Sequence, residues 1–200
     1  MKKKNLVYNQ GGYFGKKKMI KKENIKLHLG CGKRYIPGFI HIDQRRLPHV
    51  DYVQDVCDLS NFKDNSIDLI YSCHLLEHFK RVEINKILAE WYRVLKKGAT
   101  LRIAVPGFEE IIKIYKKYKD LKLVLGPIVG GQDYEFNSHY MIFDFKTLKE
   151  HLKIVGFKRI KRFDWRTTEH AHIDDYSQAY IPHMDKDKGM PISLNVEAIK

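Results

Sequence analysis

A short β-prone run, Lys26–Leu29, ends directly on Gly30-Cys31-Gly32. Glycines at the end of a strand let the backbone turn sharply and approach a ligand with no Cβ in the way. Short apolar runs then alternate with amphipathic segments along the rest of the chain, the pattern of a mostly parallel α/β sheet. Further strands are predicted over residues 38–42, 52–54, 67–71 and 100–105. A helix is predicted where Ile84, Ile87, Leu88, Trp91 and Leu95 recur on one face, with Gly98 as its C-terminal stop. A second helix is predicted from an Asp144 N-cap through Leu148, Leu152 and Val155 to Gly156. Residues 157–163 and 192–198 read as closing strands, a hairpin with a long excursion between them.

The first crossover departs from this pattern. Only residues 33–37 separate the glycine loop from the second strand, whereas a parallel crossover usually takes about a dozen residues or more. A single turn or a tight loop is therefore expected there in place of a helix. Residues 121–140 carry Gly126, Pro127, Gly130 and Gly131 and read as irregular. Long irregular loops in compact domains are often functional, so this stretch is a candidate lid or substrate wall.

Composition narrows the class. The chain has 200 residues, 44% of them hydrophobic, enough for one α/β domain that buries most of its apolar surface. Residues 25–200 are expected to form that domain and residues 1–24 a basic tail. No run is apolar and long enough for a signal peptide or a membrane span. Cys31, Cys57 and Cys73 are odd in number and follow no zinc or disulfide spacing, which fits a reducing cytoplasm. Nothing in the sequence speaks to oligomeric state. The formal charge of +13 admits a nucleic-acid partner, and in the tail Lys2–Lys4, Lys16–Lys18, Lys21 and Lys22 interleave with Tyr8, Tyr13 and Phe14. Because lysines are spread along the whole chain, a solvated basic surface is the preferred reading.

Two carboxylates stand at later strand ends. Asp43 closes Phe39-Ile40-His41-Ile42-Asp43, and its two oxygens suit the two hydroxyls of a ribose. A dinucleotide fingerprint would need a third glycine where Tyr35 stands, so a nicotinamide cofactor is disfavoured. Asp55, in Gln54-Asp55-Val56-Cys57-Asp58, can accept from an adenine amino group while the following backbone N–H reaches a ring nitrogen; Asp58 is the alternative for that role, and both also read as plain loop aspartates. Downstream come DNSIDLIYSCHLLEH (64–78), EWYRVLKKGATLRIAVP (90–106) and LKEHLKIVGF (148–157).

Taken together, these motifs resemble the class I S-adenosylmethionine-dependent methyltransferases, in the small-molecule branch of the "type 11" enzymes. The resemblance spans residues 27–163. It implies a Rossmann-like sheet, mostly parallel with a reversed last strand and helices on both faces, and S-adenosylmethionine as cofactor. It further implies that Gly30, Cys31 and Gly32 border the methionine moiety, that Asp43 takes the ribose hydroxyls, and that Asp55 with Val56 meets the adenine. Ser72 and His74 would floor the pocket beside the sulfonium. His28 stands where the family often has an acidic residue. Similar stand-alone enzymes modify sugars or lipids of bacterial surface polysaccharides, so a small or carbohydrate-like acceptor is expected. An RNA methyltransferase and a cofactor-binding protein without turnover are the alternatives.

A rival motif overlaps this one. His74-Leu75-Leu76-Glu77-His78 fits H-x-x-E-H, the inverted zinc-protease signature, but zinc hydrolysis needs a third ligand and an open position. The resemblance explains the run without a metal, and none is expected. His139, just after the glycine-rich stretch, is the candidate catalytic base, because imidazole titrates near neutral pH. The late cluster Glu169-His170-Ala171-His172-Ile173-Asp174-Asp175 reads either as a metal or substrate site or as a solvated loop.

Overall fold

The computed structural model describes residues 24–200, so the reading of the basic tail lies outside the described residues. Its centre is a sheet built from β1 (Lys26–Leu29), β2 (Ile40–Asp43), β3 (Tyr52–Val53), β4 (Ile67–Cys73), β5 (Leu95–Pro106), β6 (Lys158–Arg162) and β9 (Ser193–Ile199). A separate ribbon pairs β7 (Tyr180–Ile181) with β8 (Met190–Pro191). The sheet order is β3-β2-β1-β4-β5-β9-β6. β1 to β5 pair parallel, and β9 runs antiparallel to both neighbours. The mostly parallel sheet with a reversed last strand is thus as expected, and no helix joins β1 to β2.

Alternate residues of each strand feed different faces. Leu27, Leu29, Ile42, Ile70, Leu101 and Ile103 join the main core with α1 (Ile84–Val94) and α4 (Phe145–Val155). Trp91 is fully buried there, and its indole N–H donates to the Val56 carbonyl at 3.0 Å. That bond ties the helix to the loop after β3. α4 begins and ends as its sequence dictates: Asp144 accepts from Thr147 N, and Gly156 takes the left-handed conformation at φ 112°. The other face carries a smaller cluster of Ile36, Phe39, Leu69 and Tyr71, covered by the 33–39 loop and the 163–192 excursion. α2 (Phe108–Tyr118) and α3 (Lys122–Val129) pack on each other through Ile111, Ile114 and Val124.

Three expectations change. Gly98 does not stop α1, which ends at Val94 when Leu95 turns extended and starts β5. Residues 122–129 are helical despite Pro127, because Val124 is buried against α2 and tertiary packing overrides local propensity. Only the following stretch to Ile142 stays irregular. Glu169 to Asp175 are not a uniformly solvated loop: His170 and Asp175 are buried, while Glu169, His172 and Asp174 are exposed. His170 is buried with its ring 4.4 Å from that of Tyr71, and Asp175 accepts the Tyr71 hydroxyl at 2.6 Å. Glu169 pairs with Arg102 at 2.7 Å and with Lys26 at 3.2 Å. The cluster seals the second face of the sheet.

Candidate functional site

The carboxyl ends of β1, β2 and β4 open into two adjoining cavities of about 360 and 530 Å³. Volumes of this order suit a cofactor or small ligand, and the carboxyl edge of an open parallel sheet is where such ligands bind. Gly30, Arg45, His74, His78 and Tyr134 line both.

The glycine loop is shaped by close approach. Gly30 sits at φ +62°, and a Cβ there would lie 2.5 Å from Leu75 Cδ1. Its N–H donates to the Ile42 carbonyl at 2.8 Å, fastening the loop to β2. Gly32, at φ +54°, donates its N–H to Asp43 Oδ2 at 2.8 Å. Asp43 is buried and also accepts from the Arg45 backbone N–H at 2.9 Å and its Nε–H at 3.1 Å. The loop, the β2 end and Arg45 are therefore one hydrogen-bonded unit around a single carboxylate. Cys31 is buried beside it, and burial pushes its thiol up to about 12, so it is no thiolate at neutral pH.

Gly30, Asp43, Val56 and His74 line the smaller cavity, and Gly30, Cys31, Gly32, His74 and His139 the larger one. Two expected site residues are less direct. Asp55 is exposed, with Oδ1 engaged by Cys57 N at 2.8 Å. Ser72 is fully buried, and its hydroxyl has no hydrogen-bond partner among the described residues. Arg45 and Tyr134 escape the motif reading. The Arg45 guanidinium lies 5.1 Å over the Tyr134 ring, bringing the loop after α3 across the cavity mouth. The signal was faint: an arginine two residues past the strand-end acid, and a tyrosine inside a glycine-rich loop.

Behind the shared wall lies Glu77, whose side chain is 1% exposed. Its backbone carbonyl accepts from Tyr140 N and Met141 N at 2.8 and 3.1 Å, which anchors the loop. Its carboxyl has no hydrogen-bond partner among the described residues, and burial pushes it up to about 8. His74 Nδ1 stands 3.5 Å and His139 Nε2 4.0 Å from Glu77 Oε1. Burial first, then neighbouring imidazoles, lowers His74 to about 3 and His139 to about 4. Both rings are neutral at pH 7. His139 Nδ1–H donates to the Pro127 carbonyl at 3.0 Å, which leaves Nε2 with the lone pair.

His28 lies fully inside the second face, its ring 5.3 Å from Tyr71 and 5.5 Å from His41. Burial, then the charges of His41 and His170, hold its pKa well below the usual histidine value. The folded state thus resists a proton that the unfolded chain takes up below about pH 6.5. Its contribution to stability is complete above that pH and is lost as pH falls towards the depressed folded value. We expect the melting temperature of the parent to drop more between pH 7.5 and 5 than that of His28→Gln. His41 and His170, lowered by burial as well, keep part of the slope in the variant. Parallel melting curves across that range would show that His28 is not the group involved.

Comparison with known proteins bears on this arrangement. Residues 27–103 match the methyltransferase domain family. No curated protein matches the chain. Among solved structures, a methyltransferase dependent on S-adenosylmethionine from Archaeoglobus fulgidus aligns at 15% identity and TM-score 0.56, covering 90% of this chain and 87% of that one. One from Methanosarcina mazei aligns at 20% identity and TM-score 0.54, covering 90% and 93%. A Burkholderia thailandensis 1,6-didemethyltoxoflavin-N1-methyltransferase aligns at 13% identity and TM-score 0.52, covering 88% and 70%. The chain thus carries a match to the methyltransferase domain over residues 27–103, and its fold is that of the S-adenosylmethionine-dependent methyltransferases.

Proposed function

We propose that the chain, acting through residues 25–200 as one domain in the cytoplasm, methylates a small, carbohydrate-like acceptor of the kind used in surface-polysaccharide assembly. The observation that carries this reading is the larger cavity, of about 530 Å³, which shares lining residues with the smaller one. Its wall mixes Tyr134, Tyr176 and Tyr180 with Asp133, Asn137 and His183. Aromatic faces beside hydrogen-bonding groups suit a polyhydroxylated ring, and the volume is that of a small ligand. Among the described residues no helix is long and apolar enough to cross a membrane.

The residues fit the cofactor. Gly30 and Gly32 offer a cradle without Cβ atoms where the methionine part would lie, with Cys31 between them. Asp43 would take the ribose hydroxyls, exchanging its Arg45 side-chain bonds for them. Val56 would meet the adenine, with the second oxygen of Asp55 reaching from the rim. Ser72 and His74 would form the floor. When bound, the cofactor supplies an electrophilic methyl group on sulfur. The chain's own work is to hold the acceptor in line and keep water out. His139, with the lone pair of Nε2 available, would receive an acceptor proton.

A test is transfer of labelled methyl from S-adenosylmethionine to pooled acceptors by the full chain. We expect label in a sugar, nucleotide-sugar or polyol fraction. Label confined to RNA, or cofactor binding with no label in any pool, would replace this reading.

A further inference from the structure

Glu77 and the three imidazoles around it pose a question that methyl transfer does not answer: what do their lone pairs face? The three imidazoles each spend a ring proton away from the carboxyl. Ser193 donates its hydroxyl proton to the Tyr176 carbonyl, so the 2.8 Å contact between Ser193 Oγ and His74 Nε2 has the imidazole as donor. His78 Nδ1–H donates to the Ser138 carbonyl at 3.1 Å, and His139 Nδ1–H to that of Pro127 at 3.0 Å. His74 Nδ1, His78 Nε2 and His139 Nε2 are thereby left as acceptors. Both carboxyl oxygens of Glu77 are buried with no hydrogen-bond partner among the described residues.

Distance decides between a shared proton and a cation. An O–H···N bond from Glu77 would bring its oxygen to about 2.7 Å from one nitrogen. The separations of His74 Nδ1 and His139 Nε2 from Glu77 Oε1 are 3.5 and 4.0 Å, too long for it. They are the separations of ligands around one ion, since atoms each about 2.1 Å from a metal lie roughly 3–4 Å apart. One ligand atom each from Glu77, His78 and His139 lie within 4.8 Å of one another, so the widest pair needs to close by up to roughly 1.4 Å to reach tetrahedral spacing. Outward N–H bonds to backbone carbonyls are also the usual support of metal-binding imidazoles.

We propose that Glu77, His78 and His139 bind a divalent first-row transition-metal ion at the wall shared by the two cavities. Imidazole nitrogens with one carboxylate select zinc, manganese, iron or cobalt over magnesium or calcium, which prefer all-oxygen shells. His139 is the third ligand that the H-x-x-E-H run lacks, and it arrives from the loop that Glu77 anchors. His74 and His78 line both cavities and His139 the larger, so an open position on the ion would hold an acceptor oxygen. That role rests on the methyl-transfer reading and supersedes His139 as base, because the ion takes the same lone pair. Binding of the ion does not depend on that reading.

The experiment uses the full chain, stripped with a chelator and titrated with cobalt(II) without cofactor, followed by visible absorption and calorimetry. We expect one tightly bound equivalent with d–d bands of low coordination number, displaced by zinc and not by magnesium. His139→Ala and Glu77→Gln should each weaken binding by about 10–100-fold or more, whereas His183→Ala, in the same cavity but outside the cluster, should bind as the parent does. Thermal melts establish that each variant is folded, and if Glu77→Gln is not, His139→Ala alone decides. No binding to the folded parent, or equal binding by His139→Ala, would overturn the proposal. Because the titration contains no cofactor, its failure leaves the methyltransferase reading standing, and absence of cofactor binding leaves the metal site standing.

Discussion

Replacing Asp43 by alanine is expected to weaken binding of S-adenosylhomocysteine by about 100-fold or more and to lower stability by roughly 1–3 kcal/mol. The carboxylate holds Gly32 N–H, Arg45 N–H and the Arg45 guanidinium within 3.1 Å. Its loss strands buried donors, a cost of about 1–3 kcal/mol. The affinity loss follows from two charge-assisted bonds to ribose hydroxyls, each worth roughly 1.5–3 kcal/mol, at about tenfold per 1.4 kcal/mol. Because Arg45 already occupies Asp43, a purely structural carboxylate is the competing account. Calorimetry on Asp43→Ala and Arg45→Ala separates them. Removing the Arg45 side chain frees the carboxylate, so affinity should hold or improve there while it collapses in Asp43→Ala. If Asp43→Ala, still folded, binds as the parent does, the ribose is not held at Asp43.

Gly30→Ala should be the most damaging small substitution in the loop. A left-handed conformation costs a residue with a Cβ about 1–2 kcal/mol, and here the new carbon would lie 2.5 to 2.9 Å from three atoms of Leu75. Overpacking of that kind adds roughly 1–3 kcal/mol. At about 2–4 °C per kcal/mol for a domain of this size, the melting temperature should fall on the order of 5–15 °C. Gly38→Ala is the control, because Gly38 has φ +82° but open space around a Cβ. It should show the conformational cost alone. Equal melting temperatures for the two variants would mean that Leu75 yields freely and that the loop is not set by contact.

The sequence carried the frame of the fold because the sheet is made of local signals. β1 falls on the expected residues and β2 to β5 within a few of them, since each apolar run is bounded by polar or glycine residues. The absent first helix was legible by counting residues alone. α2 was not read, although Glu109 and Glu110 near its start and Lys116 and Lys117 near its end match the helix dipole. Its buried face is only Ile111 and Ile114, and their partners, Val124, Ala179 and Ile192, are distant in sequence. The cavity was legible where motifs sit on strand ends, as at Gly30 and Asp43. Arg45, Tyr134 and the isolation of the Glu77 carboxyl were not, because each depends on a loop folding back over the sheet edge. In the cluster at His170 only His170 and Asp175 are buried, and sequence alone does not separate them from their exposed neighbours because the burial comes from tertiary packing.

Calorimetric titration of the full chain with S-adenosylhomocysteine tests the central claim most directly. One equivalent should bind saturably to the parent, and Asp43→Ala should bind far more weakly at unchanged stoichiometry. A folded, cooperatively melting parent that binds neither this product nor S-adenosylmethionine would contradict the account.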